Sequence, residues 1–241
     1  MKIDVDTHTH TTASIHAYST LQELVIGAKK NRLKGIVISD HGPALQGGPH
    51  PFYFGNLQVL PHKIKGIHVF RGVELNIMNS SGEVDLIPKY IRNLDFVMSG
   101  FHDPCFLPST KESNTQAMLA AIKNPFVDAI SHPGNGVFQI DFEPVVETAK
   151  KYGKILEINN SSFKSRKNSN ENCRTLAKLC AENGNLISIS SDAHYYTDVG
   201  NLKTAISVAK EAGIDKKNVV NHNLEGFIDY ITRRKAERSS L

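Results

Sequence analysis

Seven short runs dense in Val and Ile punctuate the chain, at residues 3–5, 35–39, 68–73, 95–99, 127–131, 155–158 and 186–189. Each is nearly continuous in apolar side chains rather than alternating, which is the pattern of strands covered on both faces in a parallel sheet. Between them the apolar period lengthens to that of helices. Thr20 is placed to cap a helix over 21–31 and Asn114 one over 115–123, while 142–152 and 170–183 are amphipathic. Gly153 and Gly184 stand where a left-handed residue ends a helix. Two further helices, over 201–212 and 223–238, follow the seventh strand. The alternation predicts an α/β chain: a distorted (β/α)7 barrel, one strand short of the usual eight, in a single domain spanning 1–241. Residues 42–56, with Gly47, Gly48, Pro49 and Pro51, read as a long loop above the second strand, and such loops tend to carry function.

Composition narrows the picture mainly by exclusion. The net charge of +4 comes from 28 basic and 24 acidic residues dispersed along the chain, so no nucleic-acid-binding surface is signalled. The one basic run, Arg233-Arg234-Lys235, reads as the solvated last turn of a helix. Cys105, Cys173 and Cys180 are odd in number and lack CxxC spacing, which argues against a disulfide framework or a thiolate metal site. Cys173 and Cys180, seven apart in a helical pattern, read as packing residues. The first residues lack the apolar stretch of a signal peptide, and no apolar run approaches membrane-spanning length, so the default expectation is a cytoplasmic protein without a membrane partner.

The informative residues are those at the C-terminal end of each strand. The first strand leads to Asp6-Thr7-His8-Thr9-His10, with His16 beyond, and the second to Asp40-His41-Gly42. The third ends in Glu74, the fourth in His102, the fifth in His132, the sixth in Glu157-Ile158-Asn159 and the seventh in Asp192-Ala193-His194. Parallel barrel strands all deliver their C-terminal ends to one mouth, so these side chains converge there. His8 and His10, two apart on extended chain, project to the same side, and the same holds for Asp192 and His194. A histidine beside one strand is usually an ordinary core or surface residue; the weight lies in one rule obeyed at successive strand ends. His62, His68 and His222 fall off the pattern and read as surface or packing residues. Imidazoles with a few carboxylates suit zinc best and also accept manganese, iron or cobalt. Nine ligands exceed the needs of one ion, so two or three ions are expected, with Glu74 bridging a pair.

These blocks resemble the PHP (polymerase and histidinol phosphatase) family, specifically its YcdX-type phosphatases. The resemblance rests on His8-Thr9-His10, His16-Ala17-Tyr18-Ser19, Ser39-Asp40-His41-Gly42-Pro43, Gly72-Val73-Glu74, Gly100-Phe101-His102 and Ser131-His132-Pro133-Gly134-Asn135. It continues through Glu157-Ile158-Asn159-Asn160-Ser161-Ser162-Phe163 and Ser191-Asp192-Ala193-His194. It implies a trinuclear centre in which His8, His10, Glu74 and Asp192 hold one ion, Glu74, His102 and His132 a second, and His16, His41 and His194 a third. Glu74, Asp192 and His194 would then stand at the reaction centre. The implied activity is hydrolysis of phosphomonoesters, with a metal-bridging hydroxide as nucleophile. The segment after His50, Pro51-Phe52-Tyr53-Phe54, is poor in histidine, which suggests a shifted substrate preference.

Around this core, Arg166 and Lys167 are candidate phosphate clamps and His50 a candidate substrate contact, each competing with an ordinary surface role. Asp40 is read as the carboxylate that orients the His41 ring. The expected partner is a small phosphorylated substrate; a homo-oligomer is compatible with the sequence. Three rival functions differ in their requirements. An amidohydrolase-type barrel would bring a carboxylated lysine to a strand end, and no lysine sits there. A phosphodiesterase or 3'-5' exonuclease would require a basic groove. A non-enzymatic metal-binding protein would lack open coordination positions.

Overall fold

The computed structural model describes residues 1–241. Seven parallel strands form one curved sheet in chain order: β1 Val5–Thr9, β2 Gly35–Ile38, β4 Ile67–Asn76, β5 Phe96–Gly100, β6 Ala129–Ile130, β7 Ile155–Asn159 and β8 Ile187–Ser190. The short β3, Lys63–Ile64, pairs antiparallel with β4 and adds a hairpin that the apolar pattern did not announce. Outside lie α1 Leu21–Lys30, α2 Pro51–Asn56, α3 Pro88–Ile91, α4 Lys111–Lys123, α5 Phe142–Lys151, α6 Ser162–Ser165, α7 Ser169–Asn183 and α8 Lys203–Glu211, followed by α9, Leu224–Ser239. The expected seven-strand distorted barrel is the fold that forms.

Local chemistry explains most boundaries. Thr20 and Glu23 make a reciprocal capping box that starts α1. Gly153 and Gly184 adopt φ of 63° and 69°, the left-handed stops expected of them. Asn114 is not a cap. Helix α4 begins a turn earlier behind Thr110, and the Asn114 amide is buried, bonded to Ser109 and to Gln139 O. Residues 42–56 are not wholly irregular either, because Pro51 and the capping His50 side chain start α2. Cys173 and Cys180 are buried on α7 as packing residues.

Strand alternation divides inside from outside. On β2, Ile36 and Ile38 pack outward with Leu24, Val25 and Ala28 of α1, whereas Val37 points into the barrel. The barrel's lower interior is filled by Val5, Val37, Phe70, Phe96, Met98, Ala129 and Ile155, together with Leu224, Phe227, Tyr230 and Ile231 of α9. Helix α9 thus closes the floor. Phe227 meets Phe70 edge-on with ring centres 5.1 Å apart. Of the basic run 233–235 only Arg233 is solvated, so the run is not a solvated last turn. Arg234 Nε lies 3.0 Å from Asp128, Lys235 Nζ 2.8 Å from Asp95, and fully buried Arg238 pairs with Asp128. The helix continues past the run, and packing against the floor overrides solvation.

Closure between β1 and β8 is achieved mostly by side chains. A single parallel bridge, Thr9 with Ala193, joins the strand ends. Below it the Asp6 carboxylate accepts from Ser191 N–H at 3.0 Å and Gly200 N–H at 2.8 Å. Lower still, the Asn221 amide donates to Val5 O at 2.8 Å and Ile189 O at 2.7 Å, and its oxygen accepts Ile189 N–H at 3.1 Å. One asparagine side chain thereby takes the place of a rung in the ladder. No helix is long and apolar enough to cross a membrane.

Candidate metal centre

All nine residues anticipated from strand ends meet at the upper mouth. His8 is on β1 itself and Glu74 within β4, because both strands run further than the apolar pattern suggested. Glu74 is at the centre and completely buried. Its Oε2 lies 3.1 Å from His8 Nε2 and 3.0 Å from His41 Nδ1, and its Oε1 lies 3.1 Å from His102 Nε2 and 2.8 Å from His132 Nε2. Asp192 Oδ1 is 3.4 Å from His8 Nε2 and 3.3 Å from His10 Nε2. His16 and His194 approach Nε2 to Nε2 at 2.9 Å, toward the open side. The ring of His41 stands between the groups, with a ligand atom within 4.8 Å of those of His10 and His194 and also of those of Glu74 and His102.

Strained backbone supports this convergence. His132 has φ of 34° and Asp192 φ of 56°, unusual values for residues with side chains, and both occur where a strand turns into the mouth. Gly100 makes room: a Cβ there would stand 2.1 Å from Ser131 Oγ and 3.0 Å from His132 Cε1.

Protons are distributed as metal ligands require. His8 Nδ1 is 2.7 Å from Glu157 Oε1, His102 Nδ1 is 2.8 Å from Asn76 Oδ1, and His194 Nδ1 is 3.1 Å from Asp192 O. Each of these neighbours is an acceptor, so Nδ1 carries a hydrogen, and in the neutral form of each ring Nε2 is the atom with the lone pair. The facing Nε2 atoms of His102 and His132 are 3.3 Å apart, and those of His8 and His10 are 2.9 Å apart. Neighbouring nitrogens on a tetrahedral zinc at ordinary bond lengths stand about 3.3 Å apart.

Ionisation follows the same logic. Burial pushes Glu74 toward its neutral form, but His8, His102, His41 and His132 prevail and hold it well below the usual carboxylate range. Burial opposes the Asp192 charge too, and His8 and Arg166 outweigh it in the same direction. Burial lowers His10 far below its ordinary value and brings His16 and His132 to about 4, so these rings are neutral near pH 7. His8 is the exception. Burial disfavours its charge, yet Glu74, Asp192 and Glu157 together raise it well above the ordinary value. Buried Glu74 Oε2 and both ring nitrogens of His41 still make no hydrogen bond. Lone pairs and carboxylate oxygens aimed at one another in a buried space fit divalent cations and little else.

The anticipated substrate contacts separate. Arg166 lines the cavity of about 320 Å³ beside the cluster, along with Leu45, Phe101, Asn135 and Phe138. Its Nη2 is 2.8 Å from Asp192 Oδ2. Lys167 is exposed and His50 caps α2 through Phe52 N–H, and neither lines that cavity. Asp40 does not orient the His41 ring; its carboxylate accepts from Thr11, Ser14 and Tyr53 instead. Glu157 stood in the block at the sixth strand end but was assigned no role there. The structure gives it one: besides holding His8 it accepts the His132 N–H at 2.6 Å and the Asn159 amide at 3.1 Å. A larger groove of about 600 Å³ along α4 is lined by Lys111, Thr115, Lys123 and Asp141 and gathers no such cluster.

A parallel barrel with imidazoles and carboxylates converging at its C-terminal mouth defines the class: a metal-binding β/α barrel. A family model described as PHP domain matches residues 6–237, and the chain belongs to that family. A probable phosphatase from Acetivibrio thermocellus is 46% identical over 235 residues, covering 98% of each chain. Another, from Thermoanaerobacter sp. (strain X514), is 48% identical over 237 residues, 98% of this chain and 97% of its own. Among solved structures, histidinol phosphate phosphatase from Lactococcus lactis, complexed with zinc, L-histidinol and phosphate, superposes with a TM-score of 0.68. That match covers 89% of this chain and 95% of the other at 19% identity, a likeness of fold.

Proposed function

We propose that the protein is a metal-dependent phosphatase that hydrolyses small phosphomonoesters at a centre of three zinc-like ions. The observation that carries this reading is the pocket around Glu74, where two carboxylate oxygens face separate groups of imidazole nitrogens. His8, His10, Glu74 and Asp192 would hold one ion, Glu74, His102 and His132 a second, and His16, His41 and His194 a third. Bound there, the ions supply charge neutralisation on a phosphoryl group and an acidified water.

The chain's own residues do the rest. Glu74 supplies charge to two ligand groups at once, which holds like-charged ions near each other. Glu157, Asn76 and the Asp192 carbonyl keep protons on the outer nitrogens of His8, His102 and His194, so the inner nitrogens remain available. Arg166 adds a fixed cation at the cavity wall, suited to a phosphate oxygen. Two relatives named probable phosphatases that align along nearly the whole chain support the reaction class. Zinc in the histidinol phosphate phosphatase supports the metal. A cavity of about 320 Å³ favours a compact substrate over a polymer.

The test is elemental analysis of the purified protein together with assays on phosphomonoesters, phosphodiesters, carboxylic esters and amides. More than one zinc-like ion per chain is expected, with phosphomonoesters cleaved fastest and all activity lost on chelation. One ion or fewer after metal is supplied, or a preference for amides or DNA, would overturn the reading.

A further inference from the structure

Asp40 is fully buried and adjoins a pocket histidine, yet its carboxylate gathers donors from elsewhere. Oδ1 accepts Thr11 N–H at 2.8 Å and the Ser14 hydroxyl at 2.7 Å. Oδ2 accepts the Thr11 hydroxyl at 2.8 Å and the Tyr53 phenol at 2.5 Å. Burial and the Asp40 charge raise Tyr53 well above its ordinary value, so its O–H remains a donor.

The hydrogen-bond inventory then fixes where each proton points. A serine hydroxyl has one proton and two lone pairs. Ser14 Oγ has two acceptors within reach, Asp40 Oδ1 at 2.7 Å and His10 Nδ1 at 3.2 Å. An ionised carboxylate at the shorter distance is the stronger acceptor and takes the proton. The two lone pairs left on Ser14 accept the backbone N–H of His41 at 3.0 Å and the Nδ1–H of His10. His10 is thereby protonated on Nδ1, and its bare Nε2 is the atom 2.9 Å from His8 Nε2.

We infer that Asp40, Ser14 and Tyr53 form a positioning chain that sets the His10 tautomer, holds the His41 backbone and fastens the 42–56 segment to the metal pocket. The inference rests on the metal-binding reading of this site. Tyr53 lies on α2, so the segment above β2 is tied to the same carboxylate that orients a ligand. The direction of the Ser14 proton distinguishes this role from simple packing. In Asp40→Asn an amide N–H can face Ser14; the serine proton then turns toward His10 Nδ1, and the ring's own hydrogen is driven onto Nε2, where a cation belongs.

The experiment challenges zinc-loaded full-length protein with excess chelator and monitors zinc release. Asp40→Asn and Ser14→Ala should each release zinc about 10 to 100 times faster than the parent, the usual loss when a ligand's supporting group is removed. Tyr53→Phe should show a smaller acceleration in the same direction, and Ser14→Thr, which keeps the hydroxyl, should stay near the parent rate. Nitrogen-15 spectra of histidine-labelled, metal-free parent should show His10 protonated on Nδ1, with the proton moved to Nε2 in Asp40→Asn. Release rates within about twofold of the parent for both Asp40→Asn and Ser14→Ala, or a parent His10 protonated on Nε2, would overturn the inference. Parent protein that never retains zinc would instead defeat the proposed function, while the His10 spectrum would still decide this point. Should a variant fail to fold, the parent spectrum and Tyr53→Phe give the answer.

Discussion

The two ends of the barrel both bury charge, and they resolve it differently. At the floor, Asp128 receives Arg238, Arg234 Nε and Val97 N–H, and Arg238 also donates to Leu94 O at 2.7 Å. Cations and anions alternate there, and carbonyls absorb most of the spare donors, leaving Arg238 Nε without a partner. At the mouth the excess is of acceptors: Glu74 Oε2 and the His41 ring nitrogens lack hydrogen bonds, and imidazole nitrogens face one another at close range. A buried charge whose partners lie on the same chain contributes to the fold as it stands. A buried cluster short of positive charge instead encodes the kind of ligand it is to bind.

The largest expected effect comes from neutralising the centre of the mouth. Glu74→Gln keeps shape but removes the charge shared by two ligand groups, so turnover should fall by about 10³-fold and metal content per chain should drop, while the circular dichroism spectrum persists. Full activity with full metal would erase the distinction between the two ends. Asp128→Asn should do the reverse. It leaves Arg238 and Arg234 facing an uncharged partner, at a cost of about 3–5 kcal/mol in urea unfolding, while metal content and low-temperature turnover stay near the parent values. Loss of metal in that variant would show that floor and mouth are coupled.

A smaller effect should appear in the pH dependence of stability. Lys154, at the floor, donates to Asn124 O at 3.0 Å and to Val127 O. Burial and then the nearby Arg234 lower its ammonium from 10.5 to about 8. Below pH 8 it is charged in both states, and folding bears the whole cost of burying the charge. Between about 8 and 10.5 the unfolded chain keeps a proton that the folded one has released, so stability rises with pH across that window. The span corresponds to about 3 kcal/mol. Denaturant titrations of Lys154→Met should lack this rise relative to the parent; parallel curves would refute the assignment.

How much of this could be read from the sequence depended on geometry. The mouth was legible because parallel strands carry every C-terminal end to one place, so His8, Glu74, His102, His132 and Asp192 needed only a strand count to be brought together. Glu157 was harder, since its side chain points inward from the middle of an apolar strand and nothing local states which residues lie opposite. Asp40 misled because its neighbour in sequence, His41, is not its partner in space; the partners come from the 11–14 turn and from α2. The floor was nearly illegible, as Asp128 and Arg238 are 110 residues apart. One clue was present: Phe227, Tyr230, Ile231, Arg234 and Arg238 recur at three- and four-residue spacing, which puts both arginines on the buried stripe of α9.

The seam between the first and last strands has a consequence in time. During synthesis His8 and His10 precede Asp192 and His194 by some 180 residues, and they wait for these and then for the asparagine that stitches the joint at 221. At about 5–20 residues per second that interval lasts roughly 10–40 seconds, during which the leading histidines belong to no finished pocket. The complete ligand set exists only after the ring of strands has shut. On the metal-binding reading, acquisition of the full set of ions would be the last act of assembly, and ions held by His8, His10 and Asp192 would lie across the joint between the first-made and last-made parts of the barrel.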